Sequence, residues 1–115
     1  MFHWNAGIYM DDKVKEKPGH YRRMVESRRL VKSCYCITLP ANDANCMDIY
    51  SSREFWFRYY RKQKLEIIGL AADREGLETI LCKMTQDIMK LFGEVNAKSV
   101  RKYFEKELSE RRTDG

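Results

Sequence analysis

Phe55-Trp56-Phe57-Arg58-Tyr59-Tyr60-Arg61-Lys62-Gln63-Lys64 places five aromatic rings in six positions and follows them with cations. Rings and cations in this density can do two kinds of work. Trp, Tyr and Arg fill pockets on protein partners and dominate interface energetics. The same residue types stack on bases and neutralise phosphates. At 100° per residue Phe55, Trp56, Tyr59 and Tyr60 share one broad helical face. Phe57 falls outside it, beside Arg53 and Arg61. A short helix cannot bury all five rings in one small domain. Trp56, Phe57 and Tyr60 are therefore the candidate partner-binding residues. Arg22, Arg23, Arg58, Arg61 and Lys62 are the candidate nucleic-acid contacts.

The remaining chemistry-bearing residues are scattered. Cys34-Tyr35-Cys36 has C-x-C spacing, not the C-x-x-C of redox motifs, and its sulfurs are expected on opposite faces of a strand. His3 and His20 are the only histidines. Nothing in the spacing positions His20 against Cys34, Cys36 or Cys46 as a nucleophile and base. Four Cys and two His without tight local spacing do not form a zinc motif. Asp11-Asp12 and Asn42-Asp43 lack the spacing of a calcium loop and read as caps and turns. Gly69-Leu70-Ala71-Ala72-Asp73 leads from a strand to a helix start, where anions bind in α/β folds. It carries one glycine, no P-loop lysine, and an acidic cap that repels phosphate. The Leu39–Asn45 loop is expected at the same end of its own strand, as the other half of a crevice. No catalytic residue, metal ligand or cofactor is assigned.

The elements that must position these residues follow from periodicity and punctuation. Gly7–Met10 reads as a brief strand stopped by Asp11-Asp12. Pro18-Gly19 is a turn or helix start, and residues 20–32 follow helical spacing through Tyr21, Met24, Val25 and Val31. Ser33–Leu39 and Leu65–Ala72 are uncharged or nearly so, with apolar residues at both parities. That pattern fits strands buried on both faces, as in a parallel sheet. Ser51 and Glu54 have capping-box spacing, with Tyr50 and Phe55 at the staple positions, so a helix is expected over 52–61. Asp73 caps a helix over Arg74–Phe92 whose stripe is Leu77, Ile80, Leu81, Met84, Ile88 and Leu91. Gly93 stops it. Asn96 caps a last helix with Val100, Tyr103, Phe104 and Leu108 on its apolar face. Residues 109–115 form a polar tail expected to fray.

The order expected is βαβαβαα: an α/β fold with a small, three-stranded, mainly parallel sheet and a helical C-terminal third. An α+β fold with an antiparallel hairpin near the amino terminus is the alternative. The 115 residues suit one domain, with 43% hydrophobic and 34% charged residues excluding a disordered chain. No apolar run approaches a membrane span, and the first residues lack the basic and apolar regions of a secretory signal. A cytoplasmic protein is expected. The net charge of +5 is uneven: residues 1–64 carry +6 and residues 65–115 carry −1.

These observations favour a non-catalytic interaction domain that self-associates, through the aromatic helix or an open sheet edge, with itself or another protein as partner. An RNA- or DNA-binding domain using the basic amino-terminal half is the first alternative. A small enzyme with a cysteine or crevice site is the second.

Overall fold

The computed structural model describes residues 2–27, 34–56 and 65–114. The fold is mixed α/β. In chain order it contains β1 (Phe2–Met10), α1 (Asp12–Glu16), α2 (Pro18–Ser27), β2 (Tyr35–Thr38), β3 (Asp48–Ser51), a 3-10 turn (Ser52–Trp56), β4 (Leu65–Ala71), α3 (Arg74–Phe92) and α4 (Ala97–Asp114). The four strands stand in the order β1-β4-β2-β3. Only β1 and β4 pair in parallel, whereas β2 is antiparallel to both β4 and β3.

The expected three-stranded, mainly parallel sheet and its βαβαβαα order are thus corrected. A run that is apolar at both parities says that a strand is buried on two faces. It carries no information on direction. β3 was not expected as a strand, because Asp48 and Ser51 look like turn residues and the Ser51–Glu54 spacing looks like a helix start. Half of that capping box forms: the Ser51 N–H donates to Glu54 Oε2 at 2.6 Å. It turns the chain directly off the strand into a 3-10 turn.

Helices cover both faces of the sheet. On one, Val14 of α1 and Val25 of α2 pack with Cys34, Cys36, Leu65, Ile67 and Leu70. On the other, Leu77, Ile80, Met84 and Ile88 of α3 and Val100 and Phe104 of α4 pack with Ile37, Ile68 and Ala71. Burying one such side chain contributes about 1.5–3 kcal/mol, so both layers are needed to offset chain entropy. Cys34 and Cys36 share one face, which corrects the expectation that their sulfurs diverge: strand side chains alternate, so residues two apart point the same way.

Two irregularities tune the sheet. Ile68 has no partner in β2, since Ile37 pairs with Gly69 and Thr38 with Ile67. This extra residue switches parity, so Leu65, Ile67 and Leu70 all reach the α1/α2 side. Gly69 lies so close to Ile37 that a Cβ there would sit 2.8 Å from Ile37 Cδ1 and 3.1 Å from Ile37 Cβ. In β1, Trp4 pairs with Ile67 and Tyr9 with Gly69, so Asn5–Ile8 bow out of the ladder. Asn5 holds the bow: its Oδ1 accepts from the Gly7 N–H at 2.7 Å and its Nδ2 donates to Glu66 Oε2 at 2.8 Å.

The helix ends follow local signals. Asp73 Oδ1 accepts from the Gly76 N–H at 2.8 Å to start α3. Gly93, at φ +76°, ends it in the left-handed region that glycine enters without strain. Asn96 and Ser99 exchange side-chain and main-chain hydrogen bonds at 2.8 and 2.9 Å ahead of α4. Among the described residues no helix is long and apolar enough to cross a membrane.

Candidate functional site

β1 and β4 run in parallel, so their carboxyl ends, Met10 and Ala71, lie at the same end of the sheet. The chain leaves both there, into α1 and α3. In open α/β sheets this is the end where ligands bind. A cleft of about 610 Å3 opens there. Gly7–Met10 of β1 form one wall, the first turns of α3 through Asp73, Gly76, Thr79, Ile80 and Lys83 another, and Asp11–Lys13 an end. Its volume falls in the usual range for ligand sites, about 300–1,000 Å3.

Asp11 organises this end. It is 7% exposed, and its carboxylate accepts from two main-chain donors: Val14 N–H at 2.8 Å, as the cap of α1, and Ala72 N–H at 3.0 Å. Its own N–H donates to Leu70 O at 3.4 Å. One side chain thereby ties the β1–α1 junction to the β4–α3 junction. Gly76 gives it room, since a Cβ at that position would sit 1.8 Å from Asp11 Oδ2.

The second polar group on the cleft wall is a chain of hydroxyls. Tyr9 O–H donates to Asp87 Oδ2 at 2.5 Å, and Tyr9 and Tyr103 hydroxyls stand 2.7 Å apart. Lys83 Nζ donates to Asp87 Oδ1 at 3.0 Å. Burial, then the hydrogen bonds to Asp87 and Tyr103, push the Tyr9 phenol far above its ordinary value. The same Tyr9 bond, helped by Lys83, holds the Asp87 carboxyl below its usual range. Tyr9 is therefore a fixed neutral donor, and it joins β1 to α3 and α4. At the rim Lys13 Nζ meets Asp73 Oδ2 at 2.6 Å. Their hydrogen bond raises the lysine and lowers the aspartate. Both are exposed, and such a pair contributes little to stability.

The Leu39–Asn45 loop is not part of this crevice, which corrects the expected pairing of the two loops. Because β2 runs antiparallel to β4, the loop after β2 lies at the opposite end, where Leu39 N–H donates to Glu66 O at 3.1 Å. There Arg101 of α4 holds it, through Asp43 at 2.6 Å and Pro40 O at 3.1 Å.

The far edge of the sheet is built differently. Ile37 of β2 is fully buried, but its partner Ile49 in β3 is 45% exposed. On this face helical cover ends between the two strands, whereas on the other Tyr50 packs with the Val14 and Val25 cluster. Asp48 is engaged in its own loop, accepting from Ala41 N–H at 2.9 Å. The 3-10 turn leads from this edge into Phe55 and Trp56, the first two rings of the aromatic block.

Of the residues singled out in the sequence, Phe57, Arg58, Tyr60, Arg61 and Lys62 lie outside the described residues, and Trp56 closes the 3-10 turn. Arg22 and Arg23 are on α2. Arg23 is exposed, whereas Arg22 is half-buried, with its guanidinium carbon 5.2 Å from the centre of the Trp4 ring. Arg22 is thus committed in part to packing. The cysteines are all free. The Cys36 thiol hydrogen-bonded to it, then Ser52, lowers Cys34, while that bond and burial push Cys36 up. Both are core residues. Among the described residues no cluster of three or more His, Cys, Asp or Glu side chains could hold a metal ion. Tyr9, Gly76 and Ile49 were not singled out in the sequence. Asp11 was read there as a cap or turn, and it is the N-cap of α1, but its second bond, to the Ala72 N–H, carried no sequence signal. Comparison with protein-family models, with curated proteins and with solved structures finds no match to this chain.

Proposed function

We propose that the protein is a non-catalytic interaction domain that self-associates through the open edge of β3. The observation that carries this reading is Ile49, a strand residue 45% exposed on the outermost strand, beyond the reach of the helices. An edge strand leaves alternate main-chain N–H and C=O groups without a neighbour. Two copies of β3 meeting antiparallel about a two-fold axis pair those groups and bring the two Ile49 side chains together. The edge is contiguous in sequence with the aromatic block, so Trp56, Phe57 and Tyr60 follow the proposed contact by five to nine residues. A stable interface buries about 1,000 Å2 or more. Four residues of strand supply less than that, so the dimer formed by β3 alone is weak and concentration-dependent.

Hydrogen exchange at low and high protein concentration tests the reading. The amide of Ile49, which points away from β2, is expected to exchange more slowly at high concentration, while those of Tyr50, in the β2 ladder, and of α3 are unchanged. Equal exchange of the β3 amides across the series, with a monomeric mass throughout, rejects it.

A further inference from the structure

The geometry points to a guard on the β3 edge: the Glu54 carboxylate closes a main-chain donor that a second copy needs, confines pairing to Ile49, and so sets both the register and the strength of the dimer. The guard rests on the reading of β3 as a two-copy interface. Main-chain directions follow from the β2–β3 ladder. Ser52 N–H donates to Cys34 O at 2.8 Å, so it faces β2. Antiparallel alternation then turns Ser51 outward, Tyr50 inward and Ile49 outward. β3 is the outermost strand on that side. Yet the outward N–H of Ser51 is not open, because it donates to Glu54 Oε2 at 2.6 Å. The 3-10 turn brings this half-buried carboxylate back onto the strand. It begins at Ser52, and Arg53 N–H donates to Ser51 Oγ at 3.4 Å. A charged side chain on an edge is one of the ways proteins keep strand edges from joining.

Closing one donor discriminates between registers. Two antiparallel copies of β3 can meet with Asp48, Ile49 or Tyr50 on the two-fold axis. With Tyr50 there, Ile49 pairs with Ser51 of the second copy, and half of the main-chain bonds need the Ser51 N–H groups that Glu54 holds. With Asp48 there, two carboxylates stand directly opposite each other, which is unfavourable. With Ile49 there, the N–H and C=O of Ile49 exchange bonds with their own copies, and Ser51 is not involved. The next pairs outward, Ser51 against Met47 of the second copy, again lack the Ser51 donor. Hydrogen bonds to a carboxylate are roughly twice as strong as those to a neutral carbonyl. Exchanging Glu54 for a main-chain oxygen of the second copy is therefore unfavourable, and the ladder stops at Ile49. The contact stays small and reversible.

The test compares the full native chain with Glu54→Ala by sedimentation over a concentration series, with hydrogen exchange of the Ser51 amide as a second readout. Glu54→Ala should tighten the dimer by about fivefold or more, through the main-chain bonds that Ser51 regains. In the native chain the Ser51 amide should be protected already when dilute, and unchanged by concentration. In Glu54→Ala it should exchange freely when dilute and slow as the dimer forms. Glu54→Gln keeps an oxygen in place without the charge. It stands in if Glu54→Ala does not fold, and should tighten the dimer by about twofold or more. A native chain that dimerises through Ile49, with an affinity that neither variant raises, overturns the guard and leaves the β3 interface standing. A native chain that stays monomeric while Glu54→Ala dimerises rejects the native dimer and keeps the guard. Monomers throughout overturn both. Tighter association without slowing at Ser51 assigns the effect to charge alone and overturns the guard, as does a Ser51 amide that exchanges freely in the dilute native chain.

Discussion

The two edges of this sheet are both strands with one side unpaired, yet they are finished in opposite ways. β1 is long, bowed at Asn5–Ile8, flanked by α1, α3 and above all α4, and pinned at its end by Asp11 and Tyr9. β3 is four residues long, with Tyr50 packed under the α1/α2 layer on one face and Ile49 left exposed on the other. A bare edge accepts a flat, self-complementary surface. The difference arises from where the helices lie and not from the strands' own composition.

If Asp11 is what fixes the walled edge, its loss should far exceed the loss of its counterpart at the bare edge. Asp11→Ala leaves a buried and a part-buried N–H unpaired and removes the α1 cap, which should lower unfolding free energy by about 2–4 kcal/mol. Asp48→Ala, whose bond to Ala41 is exposed, should cost under about 1 kcal/mol. Urea midpoints at constant slope compare them directly, and equal losses would erase the contrast between the edges.

Gly76→Ala sharpens the same point. Helix propensity alone favours alanine by about 1 kcal/mol. The contact with Asp11 should reverse the sign and give a net loss of about 1–3 kcal/mol. In an Asp11→Ala background most of that loss should vanish. Additive losses in the double variant would show that the carboxylate is not what Gly76 accommodates.

Tyr9→Phe should cost about 1–2 kcal/mol near neutral pH, by removing the bonds to Asp87 and Tyr103. Its pH dependence carries more information. Asp87 has a lowered folded value, so its contribution is present above the ordinary carboxylate value and is lost as pH falls through the folded one. Tyr9 has a raised value, so its contribution is complete below 10.0 and is lost as pH rises beyond it. The variant should lose part of the acid sensitivity and part of the alkaline sensitivity. Denaturation profiles against pH that run parallel to the native ones would mean that the hydroxyl chain does not link β1 to the helices.

How much of this was legible in the sequence divides along the same lines. The bounds of α3 were readable to the residue, because Asp73 and Gly93 act locally, but Leu91 of the expected stripe is 49% exposed, so the apolar face is narrower than the spacing suggests. The sheet was only half readable. Cys36, Ile37, Ile67 and Ile68 announce burial on both faces, but strand direction is decided by long-range pairing that leaves no local mark. β3 was hidden because Ser51 and Glu54 form a turn signal at the place where a strand ends. Most of β1 was hidden because Asn5–Ile8 leave the ladder and break its alternation. The stretch Gly69–Asp73 was recognised as one side of a crevice. Its true counterpart, Met10–Lys13, was not, because finding it requires knowing that β1 and β4 are parallel neighbours. Ile49 carried no signal at all: an isoleucine becomes informative only when its neighbours fail to cover it.

Sedimentation of the native chain and of Ile49→Lys across a concentration series tests the bare edge most directly. The substitution sets two lysines against each other about the two-fold axis while leaving the core untouched. It should change folding stability by less than about 0.5 kcal/mol. The native chain should move from the 13.8 kDa monomer toward twice that mass as concentration rises. Ile49→Lys should weaken the association at least tenfold, about 1.4 kcal/mol. A native chain that stays monomeric throughout, or a dimer that Ile49→Lys leaves intact, would contradict the account.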